Sequence, residues 1–129
     1  MPSSESDSDS PRKDPRHRLG HQYEQVAADY LRRQGFDIVH ENYRTGHLEI
    51  DLIARSAGVL VFVEVKAARS EKAFGHPAEW VDRRKVERLV RAAQRYVAEN
   101  DVDRCDLRFD VITFTGGKLE HYPDAFRAE

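Results

Sequence analysis

The chain has 129 residues, 40% hydrophobic and 34% charged, with a formal net charge of −2. That is enough for one domain with a modest core. No apolar run approaches the roughly 20 residues needed to cross a bilayer. The polar N-terminus offers no stretch for a secretory signal, and the single cysteine, Cys105, makes neither a disulfide nor a cysteine zinc site within one chain. The expected compartment is therefore the cytoplasm. Near-zero net charge excludes a globally basic nucleic-acid binder, but not a local basic patch.

Residues 1–18 are Ser, Asp, Glu, Pro, Arg and Lys with no apolar period, and are expected to be a disordered polar tail ahead of a domain at 19–129. From Gln22 to Gln34, Tyr23, Val26, Ala27, Tyr30 and Leu31 recur at helical spacing, and Gly35 supplies the stop. Phe36 opens an extended segment towards Tyr43, and Thr45-Gly46 turns it into a strand at Glu49–Ala54. Ser56-Ala57-Gly58 turns again into Leu60–Lys66, a β-branched run that reads as a buried central strand hairpinned to the one before. Phe74–Pro77 is expected to be a loop, and Ala78–Asn100 a helix with an apolar stripe at Val81, Val86, Leu89, Val90, Ala93, Tyr96 and Val97. Leu107–Thr115 is a strand, Gly116-Gly117 a hairpin turn and Leu119–Tyr122 a short edge strand. Helix, three strands, helix, two strands is the order of an α/β domain: a central mixed sheet flanked by helices.

Charge enters the buried strands at few places, and those places carry the chemistry. Period-two geometry puts Glu64 and Lys66 on one face of their strand, Val63 and Val65 on the other. Glu49 and Asp51 share a face of the preceding strand, so the hairpin can bring Asp51 and Glu64 together. Two such carboxylates repel unless a proton or cation lies between them. Hard oxygen donors suit Mg2+ or Mn2+, which polarises a phosphodiester and acidifies an attacking water. Lys66 then orients that water or offsets charge on the phosphate.

The plainer alternative is a Glu64–Lys66 salt bridge at a strand end, with Asp51 capping a turn. Four charges in apolar strands are costly without compensation, which favours the site. On the second helix Arg84, Lys85, Arg88, Arg91 and Arg95 form either a phosphate-contacting face, with Lys85 nearest the site, or a solvated surface interspersed with Glu79, Asp82, Glu87 and Glu99. The scattered histidines do not make a zinc site, no phosphate-binding glycine loop is present, and Trp80 reads as a helix-packing residue.

Asp51 followed on the next strand by Glu64-Val65-Lys66 resembles the PD-(D/E)-x-K nuclease superfamily. A closer resemblance, over about Gly20 to Phe126, is to the bacterial YraN-like family of predicted endonucleases. It rests on Gly20-x-x-x-Glu24, Ala27-x-x-Tyr30-Leu31, Gly35-Phe36, Glu49-Ile50-Asp51-Leu52-Ile53-Ala54, Val61-Phe62-Val63-Glu64-Val65-Lys66, Phe74-Gly75-x-Pro77, Lys85 with Arg88-Leu89, Arg108-Phe109-Asp110-Val111-Ile112, and the closing His121 and Ala125-Phe126. The pattern is also similar to archaeal Holliday-junction resolvases. These resemblances imply a restriction-endonuclease-like fold and a metal-dependent endonuclease acting on DNA, branched or damaged DNA included. They imply Asp51 and Glu64 as metal ligands, Lys66 as the catalytic lysine, Glu24 as a further acid, Lys85 and Arg88 towards nucleic acid, and a homodimer. Glu49 is a weaker neighbour of the site. Leu48 stands where the family has Gly, Tyr23 where Gly is common, and Ala67-Ala68-Arg69 replaces a Lys-Thr-Arg-like ending. A non-catalytic nucleic-acid-binding module and a protein-interaction domain are the competing functions.

Overall fold

Helix α1 (Pro15–Arg33) starts earlier than the apolar period at Gln22 suggests. Residues 15–21 present no apolar stripe for periodicity to detect, and Pro15 suits the first helical position, where no N–H partner is needed. The computed structural model describes residues 15–68, 83–100, 102 and 105–127. Most of the expected tail, the Phe74–Pro77 loop, Trp80 and the start of the second helix lie outside these residues. α1 ends as Gly35 foretells: Gly35 adopts φ 96, its N–H reaches Arg32 O at 3.0 Å, and the Phe36 N–H reaches Leu31 O at 3.0 Å. This Schellman pattern satisfies the last carbonyls and turns Phe36 back onto the core.

Strands β1 (Asp37–Thr45), β2 (Leu48–Ser56) and β3 (Val59–Ala68) form an antiparallel meander. Helix α2 (Arg83–Glu99) then carries the chain across to β4 (Asp106–Thr115), which lies parallel to β3, and β5 (Lys118–Phe126) returns antiparallel at the edge. The sheet is five-stranded and mixed, in the order β1-β2-β3-β4-β5. Its mixed character follows from the helical crossover, since a parallel pair cannot be joined by a tight turn. β5 is longer than the short Leu119–Tyr122 strand expected. Pro123 is tolerated because the strand is an edge.

Each sheet face has its own core. Leu60 and Phe62 of β3 pack with Leu89, Ala92, Ala93 and Tyr96 of α2. Val61 and Val63 pack with Ala27, Ala28 and Leu31 of α1. β3 is thus buried on both faces, as its continuous apolar run requires. Val26, which the helical period assigned to the apolar stripe, is exposed instead, and Ala28 takes its place inside.

Two hairpin turns have both central residues in the left-handed region, Ala57-Gly58 (φ 51 and 79) and Gly116-Gly117 (φ 56 and 86). That geometry matches the twist of the flanking strands. Ala57 is exposed and holds this conformation against its Cβ. Ala57→Gly is therefore expected to stabilise the protein by about 1 kcal/mol, read by urea unfolding; a loss of stability would mean that the turn costs Ala57 nothing.

Candidate active site

The site lies where the sheet splits. β2 pairs with β3 only from Ser56↔Val59 to Leu52↔Val63. Beyond that point β2 stays with β1 as far as Leu48, while β3 continues beside β4 to Ala68. Val65 therefore loses its ladder partner on the β2 side, and Asp51 replaces it: Asp51 Oδ2 accepts the Val65 N–H at 2.8 Å. The faces of β2 also exchange around Asp51. Leu48 and Ile50 lie in the α2-side core, whereas Leu52 and Ala54 lie in the α1-side core. Asp51 consequently meets acids carried on both sides of the sheet.

From α1, the Glu24 carboxyl shares hydrogen bonds with Asp51 and Asn42, with His21 Nδ1 at 3.8 Å. From β3, Glu64 is buried and meets two ammonium groups, Lys85 Nζ at 3.0 Å and Lys66 Nζ at 3.8 Å. Burial, then the charge of Glu64, push the Asp51 carboxyl up from 3.8 to about 8; the Val65 N–H opposes them, and Glu24 adds to the rise. Burial likewise raises Glu24, against its hydrogen bond to Asp51. Three acids crowd one place, and at neutral pH Asp51 keeps a proton in answer to that crowding.

The structure brings Asp51, Glu64, Lys66, Glu24 and Lys85 together. Glu49 pairs with Arg44 at 3.7 Å while its charge also reaches Glu24, and Arg88 is exposed on α2. Among the described residues, no three His, Cys, Asp or Glu side chains form a ready cage for a metal ion.

Two features escaped the sequence. Asn42 sits in β1 at the register position facing Asp51, between the pairs Glu41↔Leu52 and Tyr43↔Ile50, and has φ 55. Asn tolerates that conformation within a strand far better than most residues, and its side chain reaches Glu24. The second is a polar cluster on the α1 face. Asp110 is fully buried and accepts from Arg108 Nε and Nη2, both at 2.9 Å, and from the Asp124 N–H at 2.9 Å. His121 Nε2 lies 2.7 Å from it, and His121 Nδ1 is 3.1 Å from Tyr30 Oη. A charge inside Phe109-Asp110-Val111-Ile112 was the available signal, of the same kind that marks Glu64.

The pattern that defines uncharacterised protein family UPF0102 matches residues 23–114, a span that includes all five converging residues. A UPF0102 protein of Chlorobium phaeobacteroides is 41% identical over 123 residues, covering 88% of this chain and 96% of that protein. The chain belongs to family UPF0102. A UPF0102 protein of Syntrophotalea carbinolica is 45% identical over 84% of this chain and 90% of its own length. One from Beutenbergia cavernae is 46% identical over 73% and 79%. These relatives extend the YraN-like resemblance over most of this UPF0102 protein, and their names state no activity. Among its described residues, no helix is long and apolar enough to cross a membrane.

Proposed function

We propose that this UPF0102 protein is a divalent-metal-dependent endonuclease acting on DNA, with branched or damaged DNA among its candidate substrates. The observation that carries the reading is the convergence of Asp51 and Glu64 at the fork, with Lys66 beside them. Crowded carboxylates in a half-buried mouth fit a cation better than they fit each other. Mg2+ commonly takes one or two protein carboxylates and completes its shell with water and phosphate, so two donors suffice without a closed cage. The ion supplies charge neutralisation on the phosphate and acidification of water. Asp51 and Glu64 hold it, and Glu24 and Asn42 fix the position of Asp51. Lys66 places its ammonium towards the phosphate oxygens. Lys85 and Arg88 contact nucleic-acid phosphates, a homodimer is the assembly carried over from the resemblance, and the cytoplasm is the compartment read from the sequence.

A second reading has a specific observation in its favour. Glu64 already has two lysine partners, as a structural ion cluster on a binding module would. A screen of single-stranded, duplex, flap and four-way-junction DNA with Mn2+ or Mg2+ separates the readings: cleavage supports the enzyme, binding without cleavage a module, neither an interaction domain.

Asp51 gives a pH signature. Because its carboxyl is raised to about 8, an ion must expel a proton at lower pH. Metal affinity is expected to rise by up to about tenfold per pH unit below that value and to level off above it. Calorimetry in buffers of different ionisation heat should register close to one proton released per ion near about pH 6.5, and Asp51→Asn should bind no metal. A pH-independent affinity would remove Asp51 from the ligand set.

A further inference from the structure

Lys85 is closer to Glu64 than Lys66 is, 3.0 Å against 3.8 Å, although Lys66 belongs to the same strand. The two lysines differ in attachment. Lys66 lies two residues from Glu64 on β3 and is bound to its neighbourhood by the backbone. Lys85 arrives from α2, across the space where β3 passes the fork. Its side chain is 37% exposed, whereas that of Glu64 is only 8% exposed. The buried carboxylate is therefore neutralised by a cation from a separate element, whose side chain is partly exposed.

We propose that Lys85 is a place-holder: it occupies the divalent-ion position at Glu64 while the site is empty and swings out to a substrate phosphate when the ion binds. The proposal rests on the metal-dependent reading above. Both ammonium groups meet the same oxygen, Glu64 Oε2, and a divalent cation ligated by that oxygen at roughly 2.1 Å repels an ammonium held on it at 3.0 Å. The long, flexible lysine stem yields more readily than the strand does. The exchange joins two events, since the ion that enters releases a positive charge at the mouth for the incoming phosphate. The functional pairing at Lys85 is thus conditional: with carboxylate when the site is empty, with phosphate when it is loaded.

The test measures Mn2+ affinity by calorimetry for wild type and Lys85→Gln, and the acylation rate of Lys85 in wild type with and without Mg2+, using exposed Lys118 as internal reference. Removing the competing cation is expected to tighten Mn2+ binding about tenfold or more, and Mg2+ is expected to raise Lys85 acylation several-fold relative to Lys118. Equal or weaker Mn2+ binding by folded Lys85→Gln overturns the place-holder role and leaves the nuclease reading standing. Unchanged Lys85 acylation in metal-saturated wild type does the same, and needs no variant to fold. Absence of Mn2+ binding by both proteins overturns the metal reading, and this proposal with it.

Discussion

Lys66→Met is expected to fold, to bind metal and nucleic acid, and to cleave slower than wild type by about 10²-fold or more, the scale for one lost electrostatic stabiliser. The structure sharpens why folding should survive. Removing one partner of a buried charge is severe when it leaves the other alone, but Glu64 keeps Lys85 at 3.0 Å. Methionine also fills much of the lysine stem's volume, so packing against the strand end is retained. A thermal melt, a Mn2+ titration and a rate on whichever substrate the wild type cuts give the three readings. A folded Lys66→Met protein cutting at the wild-type rate would end the mechanism proposed here. A large fall in melting temperature would instead show that Lys66, not Lys85, neutralises Glu64.

Asp110→Ala is expected to cost on the order of 3–5 kcal/mol, the largest stability effect in the molecule. The substitution strands the Arg108 guanidinium, takes the partner of His121 Nε2, and frees the Asp124 N–H. It also unties β5 from β4, because Asp110 holds both His121 and the Asp124 N–H of that strand. Burial pushes the Asp110 carboxyl up, but hydrogen bonds from His121, Arg108 and the Asp124 N–H outweigh it and hold the group below its ordinary 3.8. A depressed native pKa contributes stability in full above the unfolded value and loses it as pH falls through the native one. The gap between wild type and Asp110→Ala should therefore stay constant from about pH 5 upward and narrow in stronger acid. Urea unfolding measures it, with exposed Asp106→Ala as the control expected to change little. A loss below about 1 kcal/mol would mean that the cluster is not holding the sheet edge.

Local patterns in the chain carried most of the fold. Gly35 marked a helix end, the β-branched run through Leu60–Lys66 marked the central strand, and Ser56-Ala57-Gly58 and Gly116-Gly117 marked turns; all act over a few residues. Period two also put Glu64 and Lys66 on one face, which their 3.8 Å contact matches. What was hidden depends on tertiary approach. Nothing in the sequence near Glu64 announces that Lys85 will come closer than Lys66, because α2 docks through Leu89, Ala92, Ala93 and Tyr96 further along. Asn42 read as an ordinary strand residue, since its positive φ and its side-chain bond to Glu24 of α1 arise only in the folded chain. The length of β5 was underestimated for the same reason: its far end is held by the Asp124 N–H bond to Asp110, 14 positions away, and by the pairing of Phe126 with Phe109.

The divided sheet gives the molecule the mechanics of tweezers. Asp51 rides on the β1–β2 arm and Glu64 on the β3–β4 arm, and the arms are joined by the short ladder from Leu52↔Val63 to Ser56↔Val59 and by the bond from the Val65 N–H to Asp51. α2 spans both arms, its core taking in Leu48 and Ile50 of one and Leu60, Phe62 and Phe109 of the other, and so resists any flexing that changes the span between the tips. A ligand that attracts both carboxylates draws the tips together, and ionising Asp51 beside Glu64 pushes them apart. The stiffness of five paired positions, beginning directly beside the two acids at Leu52 and Val63, thus helps set how far apart those acids rest.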